Sequence, residues 1–529
     1  MSRMMHQFPK ITQLKGDHYM TDFLKKTERR YKAAFICALV CGLLAHGMAL
    51  FNKYCINDDL MLFSPGATYS SGRWMLGIIA RIESFFFGDG TVSLPLFNGI
   101  LSIIFIALAA AIVVRIIDIK STTLAALVGA IFVVFPTVTS MFGYMFTAHY
   151  YMFAMLLSVL GTALVCCCGK WYFRLAGVVI MGCSIGIYQA FIPIMLSLLL
   201  LYFMTRLVAD DSPKARDIVR LVITLALSAA LFMAIYIAAN KVFLALTHNS
   251  LTDYQGISEM GQAPIGEYLT RIGYAYTEFF SPTAGRFFSV HPNTILTAYR
   301  LTLAVSAILA LALAVRLIRE KKIACAVLFV LSVALIPLGT NFIFVMVDPE
   351  VVHSLMIYAQ VIPFIFLAWL CDNTKINVKN VGRSVTAVTC ALLAAVGLMY
   401  ARYDNKCYLR AELLQQETIS YFTTLVTRIE STEGFTDELP VVYINAFEKT
   451  SENLSQIWQL NDACILPYQN LGDHINNYAW VRFMEVWCGF SPATAEGQDF
   501  ENLPEVEAMP SYPDDGSIKV INGTVVVKF

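Results

Sequence analysis

The chain alternates long apolar runs with short polar loops over its first three-quarters. Each run holds roughly 17–25 residues, the length that an α-helix needs to cross the hydrocarbon core of a bilayer. The pattern predicts a polytopic α-helical membrane protein with about eleven transmembrane helices. The predicted spans are 33–51, 94–117, 122–143, 149–168, 174–189, 190–208, 218–246, 294–318, 323–346, 353–371 and 383–402.

Two boundaries depend on local polar residues. The run from 174 to 208 is too long for one helix, and Tyr188–Gln189 with Pro193 offers the turn that divides it. After Gly72, small and polar residues recur at helical spacing, with apolar residues over the rest of the surface. This pattern predicts an amphipathic helix lying in the membrane interface, with a loop packed on other loops as the alternative. The residues of the polar face are Arg73, Gly77, Ala80, Arg81 and Ser84.

The composition changes after residue 402, where polar residues increase and strand-like segments alternate with helical ones. The final segment predicts a β-hairpin that turns at Asn522–Gly523. We therefore divide the chain into an N-terminal segment (1–32), a multi-span membrane domain (33–402) and a small extracytoplasmic α/β domain (403–529). The last part has no glycine-rich nucleotide loop and no recognisable catalytic triad.

Composition agrees with this division. Hydrophobic residues make up 57% of the chain and charged residues only 14%, against about 25% charged in typical soluble domains. The formal net charge is zero, which gives no indication of nucleic-acid binding. The first residues are polar and basic without a short apolar core, so we expect no cleavable signal peptide.

The thirteen cysteines lie mostly inside apolar runs and there predict small buried side chains. Cys464 and Cys488 lie outside the runs, and a disulfide between them stays an open alternative that spacing alone does not support. No cysteine and histidine pair has the spacing of a zinc site.

Lysine and arginine are concentrated in alternate loops, and the positive-inside rule makes those loops cytoplasmic. The N-terminus falls on the same side, so we expect it in the cytoplasm. Asp58, Asp59, the segment 247–293 and everything after 403 are then extracytoplasmic. The predicted location is a cell membrane crossed many times.

Acidic residues are missing from all eleven apolar runs, which counts against a proton- or sodium-coupled transporter. Polar groups gather instead at the extracytoplasmic ends of the spans, where they can converge on one outward-facing cleft. Such a cleft can join a water-soluble acceptor to a lipid-carried donor. The candidates for lining it are Asn57, Tyr144, His149, Tyr188, Gln189, Arg271 and Arg286.

The first outer loop holds the candidate chemistry. Transfer of a sugar from a lipid phosphate to a hydroxyl needs a general base and a positive group or metal for the departing phosphate. Asp58 and Asp59 are candidates for the base or for ligands of Mg²⁺ or Mn²⁺, with no certain cofactor. Arg73 and Arg81 are candidates for phosphate contacts. Alternatively, the acids cap the next helix and one of them pairs with Arg73.

The other candidates also have ordinary interpretations. His149, at a predicted helix end, fits a satisfied interface residue as well as a catalytic one. Tyr188 and Gln189 fit either helix packing or hydrogen bonding to a sugar. Arg271 and Arg286 fit substrate contacts or ordinary loop charges, and the sequence does not decide between these.

Four motifs together resemble the GtrII-like glucosyltransferases, bacterial membrane enzymes of the GT-C class that modify O-antigen and other surface polymers. They are INDDLMLF (56–63), SSGRWM (70–75), IGIYQAFIPI (185–194) and the ending MPSYPDDGSIKVINGTVVVKF (509–529). The resemblance implies a GT-C-like fold in a bacterial plasma membrane and a polyprenyl-phosphate-linked sugar donor. It places the family's first-loop acid at Asp58 or Asp59, and its Gly-Arg element at Gly72 and Arg73.

The expected function is transfer of a hexose, with glucose as the expected sugar, to a hydroxyl of a cell-surface polysaccharide by inverting displacement. A polyprenyl-phosphate sugar synthase and a flippase are the expected partners, together with membrane lipids. Two alternatives stay open: a flippase or exporter of lipid-linked sugars, and a polysaccharide polymerase or ligase.

Overall fold

A computed structural model describes most of the chain. The described residues are 28–54, 57–60, 68–88, 92–209, 213–252, 263–282, 293–374, 379–445, 460, 463–466, 480–493, 495 and 500–529. Arg286 and the side chain of Asn57, both predicted to line the cleft, lie outside this description.

The described residues of the membrane part form helices joined by turns. Its helices are α1 (Arg29–Phe51), α2 (Trp74–Phe87), α3 (Pro95–Ile116), α4 (Thr122–Val134), α5 (Pro136–Phe142), α6 (Met145–Cys167), α7 (Trp171–Ile187), α8 (Ile192–Val208), α9 (Ala215–Thr247), α10 (Ile265–Phe280), α11 (Asn293–Arg319), α12 (Ile323–Thr340), α13 (Ile343–Met346), α14 (Ile362–Asn373) and α15 (Lys379–Glu430). Short 3₁₀ turns cover Asn57–Leu60, Gln189–Phe191, Pro349–Val351, Ser354–Met356 and Tyr358–Val361.

Nine helices within the described residues are long and apolar enough to cross a membrane, against the eleven predicted. The predicted span 174–189 is the 17-residue helix α7, which is apolar but shorter than the nine membrane-length helices. The predicted span 353–371 contains two 3₁₀ turns, and its only α-helix is α14, which starts beside Pro363. The predicted break at Tyr188 is confirmed, since this residue is extended between α7 and the turn before α8.

Glycines allow the helices of the bundle to approach closely. A Cβ at Gly129 of α4 would overlap the carbonyl oxygen of Ala34 in α1. A Cβ at Gly161 of α6 would lie 2.7 Å from the carbonyl oxygen of Gly177 in α7. Close backbone approach through small residues is a common way for helices to associate in membranes.

Helix α2 confirms the helix predicted after Gly72. Its small face is buried, with Gly77 and Ala80 turned inward beside Trp74. The C-terminal end of α2 exposes three successive aromatic residues, Phe85, Phe86 and Phe87, which are 84%, 73% and 69% accessible. Large exposed aromatics on a short amphipathic helix are typical of a helix lying in the interface.

Helix α15 is continuous for 52 residues and crosses the boundary predicted at 403. Its far end packs Phe422, Leu425 and Ile429 against a three-stranded sheet. The strands are β1 (Val441–Ile444), β2 (Ile518–Ile521) and β3 (Thr524–Lys528), in the order β1-β3-β2, with β1 parallel and β2 antiparallel to β3. Short helices α16 (Trp480–Phe483) and α17 (Pro504–Glu507) and a π-helical turn (Met484–Cys488) lie beside it.

The C-terminal hairpin forms as predicted. Ile521 pairs with Thr524, and both turn residues, Asn522 and Gly523, have positive φ (49° and 74°). Positive φ at both positions defines the type I′ turn that Asn-Gly favours.

The loops rich in basic residues meet at one end of the bundle. Arg30 Nη1 pairs with Asp118 Oδ1 at 2.8 Å, and Asp372 accepts hydrogen bonds from the backbone N–H groups of Lys120 and Ser121. Loops predicted to share the cytoplasmic side are thus neighbours. Cys464 and Cys488 are both free thiols, so the disulfide between them does not form.

Candidate functional site

The first two turns of α6 join three segments at the other end of the bundle. The N–H of Phe146 donates to Asp59 at 3.0 Å. His149 Nε2 lies 3.7 Å from Glu83 Oε2 of α2. Tyr151 Oη accepts a hydrogen bond from Arg73 Nη1 at 3.3 Å. The loop after α1, the start of α2 and the far end of α2 therefore all contact one short stretch of helix.

Asp59 is a buried anchor, with 1% of its surface exposed. Its Oδ1 accepts from Phe146 N–H and from Ser93 Oγ (2.9 Å), and its Oδ2 accepts from Ser93 Oγ (3.0 Å) and pairs with the Lys53 ammonium. A carboxylate offers about four acceptor positions, and the three donors Phe146 N–H, the Ser93 hydroxyl and the Lys53 ammonium take most of them. Burial raises the pKa of Asp59, while Lys53, Phe146 N–H and Ser93 act in the opposite direction.

The capping alternative applies to Asp59 in a changed form, because it caps α6 and not the helix that follows directly along the chain. Asp58, its neighbour on the same 3₁₀ turn, is exposed. The two predicted acids therefore differ: one is held inside the protein and the other faces outward.

This geometry does not fit a metal ion held by both acids. Three donors already bind the Asp59 carboxylate, and one of them is the positive charge of Lys53. Within the described residues, no group of three or more His, Cys, Asp or Glu side chains is placed to hold a metal. We therefore derive no reaction step through Mg²⁺ or Mn²⁺.

Arg73 precedes α2 and is half-buried between aromatic rings. Its guanidinium carbon lies 6.0 Å from the ring centre of Tyr151 and 5.5 Å from that of Tyr188. These two rings stack on each other, with centroids 4.3 Å apart. Aromatic faces attract a guanidinium and restrict its orientation, which prepares its planar fork for an anion such as a phosphate.

Gly72 makes the turn before Arg73 possible. Its φ is +70°, and a Cβ there would lie 2.6 Å from Tyr236 Oη and 2.9 Å from Gln189 Nε2. Gln189 donates to the carbonyl of Ser71 (2.8 Å) and to Tyr236 Oη (3.2 Å), and is 6% exposed. These contacts make Gln189 a support for the Gly72–Arg73 turn.

The remaining candidates are distributed around this centre. Tyr144 is half-buried immediately before α6. Tyr188 is buried and donates to the carbonyl of Leu355 at 3.3 Å. Arg81 is exposed and lies over the ring of Tyr69, 5.4 Å from its centre.

Arg271 belongs to a different polar group, on α10. It is 5% exposed and pairs with Glu267 on its own helix. One turn later, Asn341 donates to the carbonyl of Ala275 at 2.9 Å. No contact joins Arg271 to Arg73 in the part of the chain that the structure describes.

Sequence reasoning missed several residues that build the site. Lys53 lies six positions before Asp59, so an ion pair between them was a detectable signal. Ser93, Glu83 and Tyr236 gave no signal, because they come from segments that meet only in the fold.

A buried hydrogen-bonded chain lies next to this region and was also missed. His46 Nδ1 lies 2.8 Å from Tyr408 Oη, Tyr408 Oη lies 3.3 Å from Thr139 Oγ1, and Thr139 donates to Asp404 at 2.8 Å. His46, Tyr408 and Asp404 are each 0% exposed. Asp404 lies two residues after the end of the last predicted span, and the continuation of α15 brings it inside the bundle.

Comparison with known proteins agrees with the motifs. Residues 47–364, more than half of the chain, match the family described as "Glucosyl transferase GtrII". The matched range includes Asp58, Arg73, His149 and Tyr188. No curated protein and no solved structure matches the chain. The match covers more than half of the chain, and the described residues include helices long enough to cross a membrane. The chain therefore belongs to the GtrII glucosyl transferase family.

Proposed function

We propose that this protein transfers a hexose, with glucose as the expected sugar, from a polyprenyl-phosphate carrier to a hydroxyl of a cell-surface polysaccharide. The main support is one juxtaposition. The exposed Asp58 lies on the turn that Asp59 fixes to the start of α6, and Arg73 contacts the first two turns of α6. A base and a phosphate contact at one bundle end suit this transfer.

Asp58 is the proposed general base. As the acceptor oxygen bonds to the anomeric carbon, its proton passes to the Asp58 carboxylate, and the bond from carbon to phosphate oxygen breaks. Arg73 then stabilises the charge on the leaving phosphate. A single displacement of this kind inverts the anomeric centre. The contacts of Asp59 favour a positioning role for that residue.

The orientation is also part of the proposal. The N-terminus is cytoplasmic and the α6 end with Asp58 faces outward, because the basic loops meet at the opposite end. The enzyme then acts at the outer surface of a bacterial plasma membrane. The donor is made by a synthase inside the cell and is moved outward by a partner flippase.

The decisive test is Asp58→Asn in the purified full-length protein, assayed for transfer from a polyprenyl-phosphoryl-glucose donor to surface polysaccharide. Loss of a general base lowers the rate by about 10²–10⁴-fold, so we expect such a loss with normal membrane insertion. Asp437→Asn makes the same chemical change at an exposed C-terminal position and serves as the matched control. Full activity of Asp58→Asn would remove the site assignment.

A second measurement separates the enzyme from an exporter. Proteoliposomes with a labelled lipid-linked sugar should show transfer to an added acceptor. If the sugar lipid crosses the bilayer and no acceptor is glycosylated, the exporter alternative replaces the proposed enzyme.

A further inference from the structure

Helix α9 is buried along one narrow stripe. Its buried residues are Ser228, Phe232, Tyr236 and Asn240, which follow each other at intervals of four. Residues spaced in this way share one face of a helix. The C-terminal half of the stripe therefore turns a phenol and an amide inward from a membrane-length helix. Polar side chains are costly inside a membrane span and usually mark a functional position.

The polar end of this stripe meets the turn that carries Arg73. A Cβ added to Gly72 would lie 2.6 Å from Tyr236 Oη and 2.9 Å from Gln189 Nε2. The same Cβ would lie 3.7 Å from Asn240 Oδ1. Tyr236 is also close enough to Arg73 for an electrostatic interaction between them. Three polar side chains thus surround the glycine that directly precedes the proposed phosphate contact.

This group has hydrogen-bonding capacity that the described residues do not use. Asn240 is 8% exposed, and its Oδ1 has no donor in the described part of the chain. Gln189 Nε2 donates to the Ser71 carbonyl and to Tyr236 Oη. The Tyr236 hydroxyl accepts there and keeps its own hydrogen to donate. A buried amide oxygen without a donor is costly, so the group indicates a position for a polar ligand.

The hydroxyl groups of a sugar match this set. Each hydroxyl both donates and accepts, so one can donate to Asn240 Oδ1 and another can accept from Tyr236. A phosphodiester offers no donor, and an isoprenoid chain offers no hydrogen bond at all. In the proposed donor lipid, the hexose is bonded directly to the phosphate. The hexose must therefore lie beside the residue that binds the phosphate, and Gly72 is the neighbour of Arg73 in the chain.

We propose that Asn240 and Tyr236 bind hydroxyl groups of the hexose while it is attached to its lipid phosphate, an inference that rests on the proposed function. Arg73 then binds the phosphate and α9 binds the sugar. Gln189 connects the two, because it donates both to Tyr236 and to the turn before Arg73. A site that hydrogen-bonds a hydroxyl rejects analogues without it, since its buried groups would stay unpaired. Asn240 and Tyr236 therefore select the sugar.

The test compares the binding of two lipids to the full-length protein. Farnesyl-phosphoryl-glucose carries the sugar, whereas farnesyl methyl phosphate has the same chain and the same single negative charge without it. The wild type should bind the glucosyl lipid more tightly. Asn240→Leu should bind that lipid about three- to tenfold more weakly, as expected for a lost hydrogen bond. Its affinity for the methyl ester should not change.

Unfolding is controlled by the choice of variants. Leucine is close to asparagine in size and suits an apolar span, so Asn240→Leu should keep the wild-type melting temperature or raise it. Ser228→Ala is the matched control on the same stripe. The Ser228 hydroxyl donates within its own helix, to the carbonyl of Thr224 at 2.7 Å. This variant should bind both lipids as the wild type does.

Tyr236→Phe tests the second contact. This variant should lose affinity for the glucosyl lipid and keep its affinity for the methyl ester. An equal loss for both lipids would make Tyr236 a support for the turn of Arg73 and would overturn its role as a sugar contact.

The outcomes separate this inference from the proposed function. If the wild type binds and transfers glucose while Asn240→Leu keeps the full preference for the glucosyl lipid, the sugar contact is wrong and the enzyme assignment stands. If the wild type transfers no glucose from this lipid, the proposed function fails as well. The acceptor polysaccharide is the other source of sugar hydroxyls. Asn240→Leu should raise the KM for the donor alone, and a rise confined to the KM for the acceptor would overturn the assignment to the donor.

Discussion

Replacing Asp59 by asparagine should damage stability, whereas the same change at Asp58 should not. The asparagine side chain would present an amide nitrogen where a carboxylate oxygen now accepts hydrogen bonds. Lys53 would lose its counter-charge, with 20% of its side chain exposed. Breaking a buried ion pair costs about 3–5 kcal/mol. Because Lys53 retains some solvent, we expect Asp59→Asn to lower the free energy of unfolding by about 2–4 kcal/mol.

The assay is equilibrium unfolding of the full-length protein in mixed detergent micelles at neutral pH. Asp58→Asn is the matched control, because Asp58 is exposed on the same turn and exposed substitutions usually change stability by less than about 0.5 kcal/mol. Asp58→Asn should therefore be stable but inactive. Equal unfolding free energies for the two variants would refute the distinction between a buried anchor and an outward-facing base.

Two further changes test the bundle itself. Gly129→Ala should destabilise the protein by about 1–3 kcal/mol, because the new Cβ would overlap the Ala34 carbonyl, which cannot rotate away. In the control variant Gly47→Ala the new Cβ meets no atom within 4 Å, so this change should be neutral or stabilising. Thermal unfolding compares the two variants. Equal melting temperatures would contradict the close approach of α4 to α1. Tyr408→Phe leaves buried His46 without its hydroxyl partner, which should lower the free energy of unfolding by about 1–3 kcal/mol. The same unfolding assay measures this. An unchanged stability would show that the hydrogen-bonded chain to Asp404 contributes nothing.

Sequence reasoning was most successful where a local pattern fixes local structure. Hydropathy located most of the membrane helices, and Asn522–Gly523 fixed the hairpin because both residues accept positive φ. The segment 353–371 was predicted as one helix because hydropathy does not report whether a backbone is helical. The α-helix there begins only at Ile362, beside Pro363.

Helix α15 runs through the boundary predicted at 403. Polarity rises there, but the chain has no glycine or proline between Gly397 and Gly434. Nothing in the sequence therefore stops the helix before Glu430. The rise in polarity after residue 402 does not coincide with the end of a helix.

The candidate site was only partly predictable. Acids, arginine and histidine could be chosen from their chemistry and their predicted side of the membrane. Which acid is buried depends on Ser93 and Phe146, which reach Asp59 through the fold. The contact between Glu83 and His149 depends on the approach of α2 to α6, which no local pattern reveals.

The length of α15 has a mechanical consequence. Its 52 residues extend about 80 Å at 1.5 Å per residue. On the way it stacks Tyr408 against Tyr54 and donates from Gln415 to the carbonyl of Lys53 at 2.8 Å. The same helix therefore contacts the sheet at its far end and the residues after α1 near its middle. A force on the sheet would therefore reach Lys53, the residue that forms the ion pair with Asp59.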